Sequence, residues 1–238
     1  FRSWLITFLL VFLPVIISAE DLRHLDYGYY QLFFDCDRHG AKYFYYQTVK
    51  DTGNYDSRPS FKFDERLPVR CRQFSSSTYQ KEGEKYHLGH LVPANHFDSD
   101  KAAYESTFYM ANVLPQTSTL NTGAWKKTEN LIDCFRDVTV LQVWGGPVWG
   151  TNETDDYFTG SHGVVTPDYY WKVVFTGNKV IAWKIPNNYQ AKSDKINSWL
   201  VTVREIEVLT GVEIDMPDRF KDIKPEKTWK YPRGCSVK

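Results

Sequence analysis

Residues 169–186, YYWKVVFTGNKVIAWKIP, constrain the fold more strongly than any other stretch of this chain. Two runs rich in β-branched and aromatic residues flank the polar tetrapeptide TGNK, a pattern typical of two antiparallel strands joined by a tight turn. The runs YYQLFFDC and AKYFYYQTV, separated by DRHG, predict a second hairpin, and VTVLQVWGGPVWG predicts a further strand. The core is therefore expected to be a β-sheet.

Other segments have helical periodicity or end at a structure-breaking residue. NTGAWKKTENLIDCFRD repeats its apolar residues at a helical period, and residues 192–211 predict a second helix that ends at Gly211. TFYMANVLPQ predicts a strand that stops at Pro115. Because strands and helices do not alternate strictly, the predicted class is α+β: a mixed or antiparallel sheet core with packed helices, in a single domain over residues 20–238.

The N-terminal nineteen residues, FRSWLITFLLVFLPVIISA, differ from the rest of the chain. Arg2 precedes an apolar stretch from Trp4 to Ile17, and the small residues Ser18 and Ala19 follow it. This stretch is short for a membrane span and has the order of features of a secretory signal peptide. We therefore predict a signal peptide over residues 1–19, a secreted protein, and no membrane association after cleavage.

The chain has 4 cysteines and no Cys-x-x-Cys pair, which argues against a zinc knuckle. In an oxidising compartment an even set of this kind predicts two disulfides. The sequence does not choose among the three pairings; the one we favour joins Cys36 to Cys71 and Cys134 to Cys235. The single sequon, NET, makes Asn152 a candidate for N-glycosylation and indicates that it is exposed.

Charge gives no argument for or against a nucleic-acid partner. The chain has 29 Lys and Arg residues against 29 Asp and Glu residues, so its formal net charge is zero. A local basic surface remains open, because the field at a cleft depends on where charges are placed rather than on their sum.

The stretch YHLGHLVPANHFD, residues 86–98, contains three of the 6 histidines: His87, His90 and His96. They can be zinc ligands, a catalytic base with bystanders, or solvated histidines in a polar loop. On the following helix Asn121 and Glu129 are eight positions apart, so they lie near one face. An amide oxygen and a carboxylate suit a hard cation, which favours Mg²⁺ over zinc.

Several motifs together resemble one family. GHLVPA at 89–94, NVLPQ at 112–116 and NTGAW at 121–125 are followed by Glu129, and SRPSFKFDERLP lies upstream. They resemble the signature of the secreted, sugar-non-specific DNA/RNA endonucleases of the ββα-metal fold, which begins Asp-Arg-Gly-His-Leu-x-Pro-Ala. The resemblance spans roughly residues 28–210 and is specific because the motifs occur in combination.

The resemblance implies an endonuclease that hydrolyses DNA and RNA to 5′-phosphate products. It makes His90 the general base that activates water and Asn121 the ligand of one Mg²⁺ ion, for which Mn²⁺ can substitute. Glu129 would orient metal-bound water, and Arg58 would bind the scissile phosphate. Asn112 would orient the site. Contacts of this kind reach only phosphate and metal, so little sequence preference is expected.

The chain departs from the signature at two positions, where His87 and Leu88 replace Asp and Arg. Leu88 cannot contact a phosphate, so His87 and Lys126 join Arg58 as candidate substrate-binding residues. His96 is expected to be structural or exposed. Two alternatives remain: a catalytically impaired relative that binds nucleic acid or protein, and a zinc protein that uses the three histidines.

Overall fold

The structure, a computed structural model, describes residues 21–235. Its strands are β1 Leu22–Asp26, β2 Tyr30–Asp35, β3 Gly40–Gln47, β4 Gln80–Lys81, β5 Glu84–His90, β6 Val113–Thr117, β7 Gln142–Val148, β8 Tyr169–Phe175, β9 Val180–Pro186 and β10 Leu200–Val201. The α-helices are α1 Lys101–Ser106, α2 Lys126–Arg136, α3 Thr159–His162 and α4 Val203–Thr210. Short 3₁₀ helices cover Val69–Cys71, Ala94–His96, Met110–Asn112, Glu153–Asp155, Ser193–Trp199 and Asp218–Phe220, and a π-helical segment covers Leu120–Trp125.

The signal peptide expected over residues 1–19 lies outside the described residues. Within residues 21–235, no helix has the length and apolar character needed to cross a membrane.

Within the described residues, seven strands form one sheet in the order β1-β2-β3-β7-β8-β9-β10, and each neighbouring pair is antiparallel. Strands β4, β5 and β6 form a second, smaller sheet. The hairpins predicted over β2–β3 and β8–β9 are confirmed, as is the strand β7 and the helix that contains α2. The α+β class is confirmed.

The large sheet packs against other elements on both faces. Side chains alternate along each strand, so apolar residues point to both faces. On β8, Tyr170 and Val174 belong to the core that includes the apolar face of α2, whereas Trp171 and Val173 belong to a second core that includes α4. The first core therefore fixes α2 against the sheet, and with it the segment that carries Asn121 and Glu129.

The prediction of one helix over residues 192–211 is wrong in its first half. Residues Ser193–Trp199 form a 3₁₀ helix, and β10 then pairs with β9 through Leu200 and Val201. Helix α4 begins only after Thr202, whose side chain accepts from the Glu205 N–H while the Glu205 carboxylate accepts from the Thr202 N–H. Pairing with the sheet edge thus outweighs helical periodicity, although the helix does end at Gly211 as expected.

The prediction that a strand stops at Pro115 is also wrong, because Pro115 lies inside β6 opposite Leu88 of β5. Strand β6 is at the edge of the small sheet. The Pro115 carbonyl accepts hydrogen bonds from the Tyr170 hydroxyl and from the Asn187 side-chain amide. The backbone nitrogen and carbonyl of Pro115 therefore face away from β5. A missing N–H on that side costs no ladder hydrogen bond.

Two disulfides join Cys36 to Cys71 and Cys134 to Cys235, which is the pairing favoured above. The first bond links the end of β2 to the 3₁₀ helix Val69–Cys71, and the second links α2 to the C-terminal segment. Asn152 is exposed, as its sequon indicated, and its Oδ1 accepts from the Thr154 hydroxyl at 2.6 Å.

Candidate active site

The hairpin of β5 and β6 carries His90. This histidine is the last residue of β5 and pairs with Val113, the first residue of β6. A Cβ atom on Gly89 would collide with the side chain of Gln116, which is fully buried. The glycine before His90 is therefore required by the packing of the hairpin itself.

The π-helical segment Leu120–Trp125 follows β6 closely and runs directly into α2. Asn121 lies in this segment, and π-helical turns are frequent at functional sites. The Trp125 indole N–H donates to the His90 carbonyl at 3.1 Å, so the helix is tied to the end of β5. The order of hairpin and helix that the resemblance implies is thus present, and the hydrogen bond from Trp125 ties its two parts together.

His90 is held in its neutral form. Its Nε2 atom is shielded from solvent and has no hydrogen-bond partner among the described residues. The ring centroid lies 5.3 Å from that of Phe61 and 4.9 Å from that of Phe108. Burial, followed by the nearby positive charge of Arg58, lowers the pKa of His90 to about 3. A neutral imidazole with an unpaired nitrogen is a candidate proton acceptor.

Arg58 lies against the same two aromatic rings as His90. Its guanidinium carbon is 6.0 Å from the Phe61 centroid and 5.5 Å from the Phe108 centroid, within the range of cation–π contact. Arg58 is exposed, and no carboxylate within residues 21–235 forms an ion pair with it. The predicted base and the predicted phosphate-binding residue therefore share one aromatic platform, and the guanidinium remains free for an anion.

Asn121 and His87 are joined directly. The Asn121 side-chain Nδ2 donates to His87 Nδ1 at 2.8 Å. Burial and the charge of Lys85 lower the pKa of His87, which favours its neutral imidazole. His87 and His90 are three positions apart on β5, an odd separation that side-chain alternation alone would place on opposite faces of a strand. The sequence pattern did not reveal the contact between His87 and Asn121.

Glu129 is nearly buried on α2, with Lys126 Nζ 3.7 Å from its carboxylate. Burial raises the pKa of Glu129, while the charges of Lys172 and Lys126 act in the opposite direction. Lys172 is fully buried on β8; its Nζ donates to the Thr128 hydroxyl at 2.9 Å and lies 3.6 Å from the Trp125 ring centroid. A Lys in an apolar strand carries no sequence signal of burial, so Lys172 was missed.

Asn112 ties the chain after His90 to the segment before β6. Its Oδ1 accepts from the Val92 N–H, and its Nδ2 donates to the carbonyls of Val92 and Thr107, each at 2.9 Å. All of these partners are backbone groups, and Asn112 is fully buried. The structure thus uses Asn112 to hold backbone near His90 and leaves none of its donors free.

His96 is structural. It is fully buried, its Nε2 donates to the Glu129 carbonyl at 3.2 Å, and its Nδ1 accepts from the Tyr46 hydroxyl at 2.9 Å. Within residues 21–235, the only three His, Cys, Asp or Glu side chains with ligand atoms grouped closely enough for a metal are Asp21 and the disulfide-bonded Cys36 and Cys71. The three histidines of residues 86–98 therefore do not form a zinc site there.

We expect His96 to make the fold sensitive to acid. Burial, with the charges of Arg136 and Lys172 nearby, holds the pKa of His96 well below its usual value of about 6.5. Above that pH both folded and unfolded forms are neutral; below it only the unfolded chain takes up the proton, so the free energy of unfolding falls by up to about 1.4 kcal/mol per pH unit.

Urea unfolding at pH 7 and pH 5 measures this loss. His96→Gln should lose less stability between the two pH values than the wild type, whereas His24→Gln, at an exposed histidine, should lose as much. An equal loss in His96→Gln and the wild type would assign the acid sensitivity to other groups.

Leu88, the second departure from the signature, is an apolar residue. It is partly buried and packs against a small apolar cluster that includes Tyr86 and Phe158, so this position carries no cation. Lys126, a candidate substrate-binding residue, is committed in part to Glu129. Arg58 is therefore the cation that the structure places against His90.

Comparison with known proteins agrees with this architecture. The family model described as DNA/RNA non-specific endonuclease matches residues 15–221. A nuclease of Serratia marcescens is 30% identical over 214 residues, which covers 82% of this chain and 77% of that protein. The mitochondrial nuclease EXOG of Xenopus laevis is 26% identical over 198 residues, covering 74% of this chain.

The matched chain spans about half the length of this EXOG nuclease, 53%. In the crystal structure described as the EndoG/EndoGI complex, a chain superimposes with a TM-score of 0.69 at 20% identity, covering 86% of this chain and 90% of that one. This likeness shows a shared fold. From the family match and the Serratia relative, the chain belongs to the DNA/RNA non-specific endonuclease family.

Proposed function

We propose that the protein is a metal-dependent endonuclease that hydrolyses phosphodiester bonds in DNA and RNA. The observation that carries the proposal is the placement of His90, with an unpaired and shielded Nε2, on the same aromatic platform as the unpaired cation Arg58. Hydrolysis of a phosphodiester needs a base for water and positive charge for the phosphate, and these two residues offer both.

In the proposed reaction His90 accepts a proton from water while the water oxygen bonds to phosphorus. The bond from phosphorus to the 3′ oxygen breaks, and the 3′ oxygen takes up a proton from solvent water, which leaves a 5′-phosphate and a 3′-hydroxyl. His90 then returns its proton to solvent. Arg58 donates hydrogen bonds to the non-bridging phosphate oxygens. Bound phosphate would also raise the low pKa of His90, because a negative charge nearby favours the protonated imidazole.

The residues on the helix fit a hard divalent cation. No group within residues 21–235 donates to Asn121 Oδ1, since the hydrogen bond to His87 uses Nδ2. The Glu129 carboxylate is nearly buried, the Lys126 ammonium lies 3.7 Å from it, and the charge of buried Lys172 also acts on it. We propose Asn121 as the protein ligand of Mg²⁺ and Glu129 as the residue that orients its waters. A bound Mg²⁺ supplies positive charge for the phosphate and the leaving oxygen.

The substrate class follows from contacts that reach phosphate rather than bases. Arg58, Asn121 and His90 would recognise the backbone that DNA and RNA share, so we expect little preference for sugar or sequence. The family description, DNA/RNA non-specific endonuclease, supports the same substrates for this chain.

One observation favours a second candidate, a catalytically impaired relative that retains nucleic-acid binding. Leu88 packs with apolar residues where the signature has a phosphate-binding arginine, so Arg58 would act alone. Cleavage separates the two candidates. Binding without cleavage would support the second.

We expect purified protein to cut both supercoiled plasmid and a defined RNA when Mg²⁺ is present, and to stop when EDTA is added. Mn²⁺ should restore cleavage after EDTA is removed. Mapping of the cut ends should reveal 5′-phosphates at sites with little base preference. Cleavage that persists in EDTA would refute the metal-dependent mechanism, and no cleavage with either metal would refute the enzyme.

The proposal includes export from the cell. Both cysteine pairs form disulfides, and disulfides persist mainly in oxidising compartments. The apolar segment from Trp4 to Ile17 supports the same conclusion from sequence. Expression of the full chain with a C-terminal tag, followed by assay of medium and cell lysate, tests it, and tagged protein confined to the lysate would contradict export.

A further inference from the structure

The hydrogen bond between His87 and Asn121 occurs at the position where the chain departs from the family signature. His87 stands in the place of the signature aspartate, and its Nδ1 accepts from Asn121 Nδ2 at 2.8 Å. The two residues are 34 positions apart, so the fold rather than local sequence brings them together. Both side chains are partly exposed and so remain accessible to small solutes.

We propose that His87 is a positioning residue for Asn121, which it orients through this hydrogen bond so that the amide oxygen is the end available to a divalent cation. The inference rests on the proposed function, because it takes Asn121 as the ligand. It assigns to His87 an action on Asn121 rather than on the substrate.

An asparagine needs such a partner because its two ends are nearly equal in size and opposite in character. Only Oδ1 can bind a cation. Nδ2 carries two N–H donors and has no lone pair to offer a metal ion. Rotation about the last side-chain bond is soft, so an unrestrained amide would present both ends. An acceptor fixed on one side selects the NH₂ group there and leaves the oxygen on the other side.

The hairpin holds His87 rigid enough for this purpose. His87 lies directly opposite Gln116 in the register of β5 and β6, and Gln116 is fully buried. Asn121 follows β6 by only a few residues, in the helical segment anchored through Trp125 to the His90 carbonyl. Donor and acceptor are therefore each fixed by regular structure on either side of the hydrogen bond.

An imidazole and a carboxylate can both accept this hydrogen bond, but they differ in charge. Neutral His87 adds no negative charge beside the cation, so orientation of Asn121 is the contribution that remains. Removal of the acceptor should therefore weaken cation binding even though no charge is lost. Restoration of an acceptor at the same place should recover it.

Three substitutions in the full chain test the inference. In His87→Asn the side-chain oxygen can occupy the place of Nδ1, in His87→Gln the amide reaches instead toward the place of Nε2, and His87→Leu has no acceptor. The probe is Mg²⁺ alone, measured by isothermal titration calorimetry without nucleic acid, with thermal melting to verify that each variant folds.

We expect His87→Leu and His87→Gln to raise the Mg²⁺ Kd by about 10- to 100-fold, the usual effect of losing a partner that orients a ligand. His87→Asn should stay within about threefold of the wild type, since the hydrogen bond is retained. If all three variants bind Mg²⁺ with the Kd of the wild type, the positioning role is overturned and the proposed function stands. Absence of Mg²⁺ binding by the wild type overturns both.

Discussion

Replacing His90 with alanine is expected to slow plasmid cleavage by about 10²- to 10⁴-fold, the usual contribution of a general base. The His90 imidazole is neutral, and its Nε2 has no partner within residues 21–235, so no described group competes for the proton it would accept. The fold should persist because the strand ends at this residue and the contact with Trp125 uses the His90 carbonyl, which alanine retains.

Initial rates of nicking at saturating Mg²⁺ measure the effect, and Mg²⁺ titration by calorimetry should give the wild-type Kd. His24→Ala is the matched control, because His24 is an exposed histidine on β1. A His90→Ala rate within a few fold of the wild type would mean that another group activates the water. An equal loss in His24→Ala would point to a general effect on the fold.

Asn121→Ala is expected to act through the cation rather than through the base. Loss of the protein ligand should raise the Mg²⁺ concentration needed for half-maximal cleavage by more than the roughly 10- to 100-fold that loss of an orienting partner costs, or remove the response. Asn121 lies in the π-helical segment beside the hairpin. Its Oδ1 accepts no hydrogen bond in the described part of the chain and can therefore bind a cation.

Cleavage rate as a function of MgCl₂ concentration measures this prediction. Asn130→Ala controls for the loss of an amide nearby in the chain, since Asn130 lies in α2, which continues from the π-helical segment, and has no part in the proposed site. Asn121→Asp, which keeps an oxygen at the position, should recover part of the response. An Asn121→Ala titration that superimposes on the wild type at normal rate would refute the assignment of the ligand.

Much of the fold could be predicted because it depends on local pattern. The alternation and β-branched content of residues 169–186 indicated the β8–β9 hairpin, and the polar breaks indicated its turn. The helix after β6 followed from its apolar period, although its π-helical beginning did not. The prediction over residues 192–211 failed because pairing of β10 with β9 is a contact with a distant strand, which no local period records.

The candidate site divides in the same way. Sequence by itself determined which residue types are present at family spacing, namely His90, Asn121 and Glu129, and it identified His87 and Leu88 as departures. These conclusions needed only order and chemical type. They did not need the position of any side chain in space.

Only the tertiary structure decided what surrounds those residues. The contact of His87 with Asn121, the aromatic platform shared by His90 and Arg58, and the burial of Lys172 beneath Trp125 all join segments far apart in the chain. The physical reason is that burial and hydrogen bonding depend on which elements pack together, and packing sets both the pKa of a histidine and the orientation of an amide. Spacing along a chain contains neither quantity.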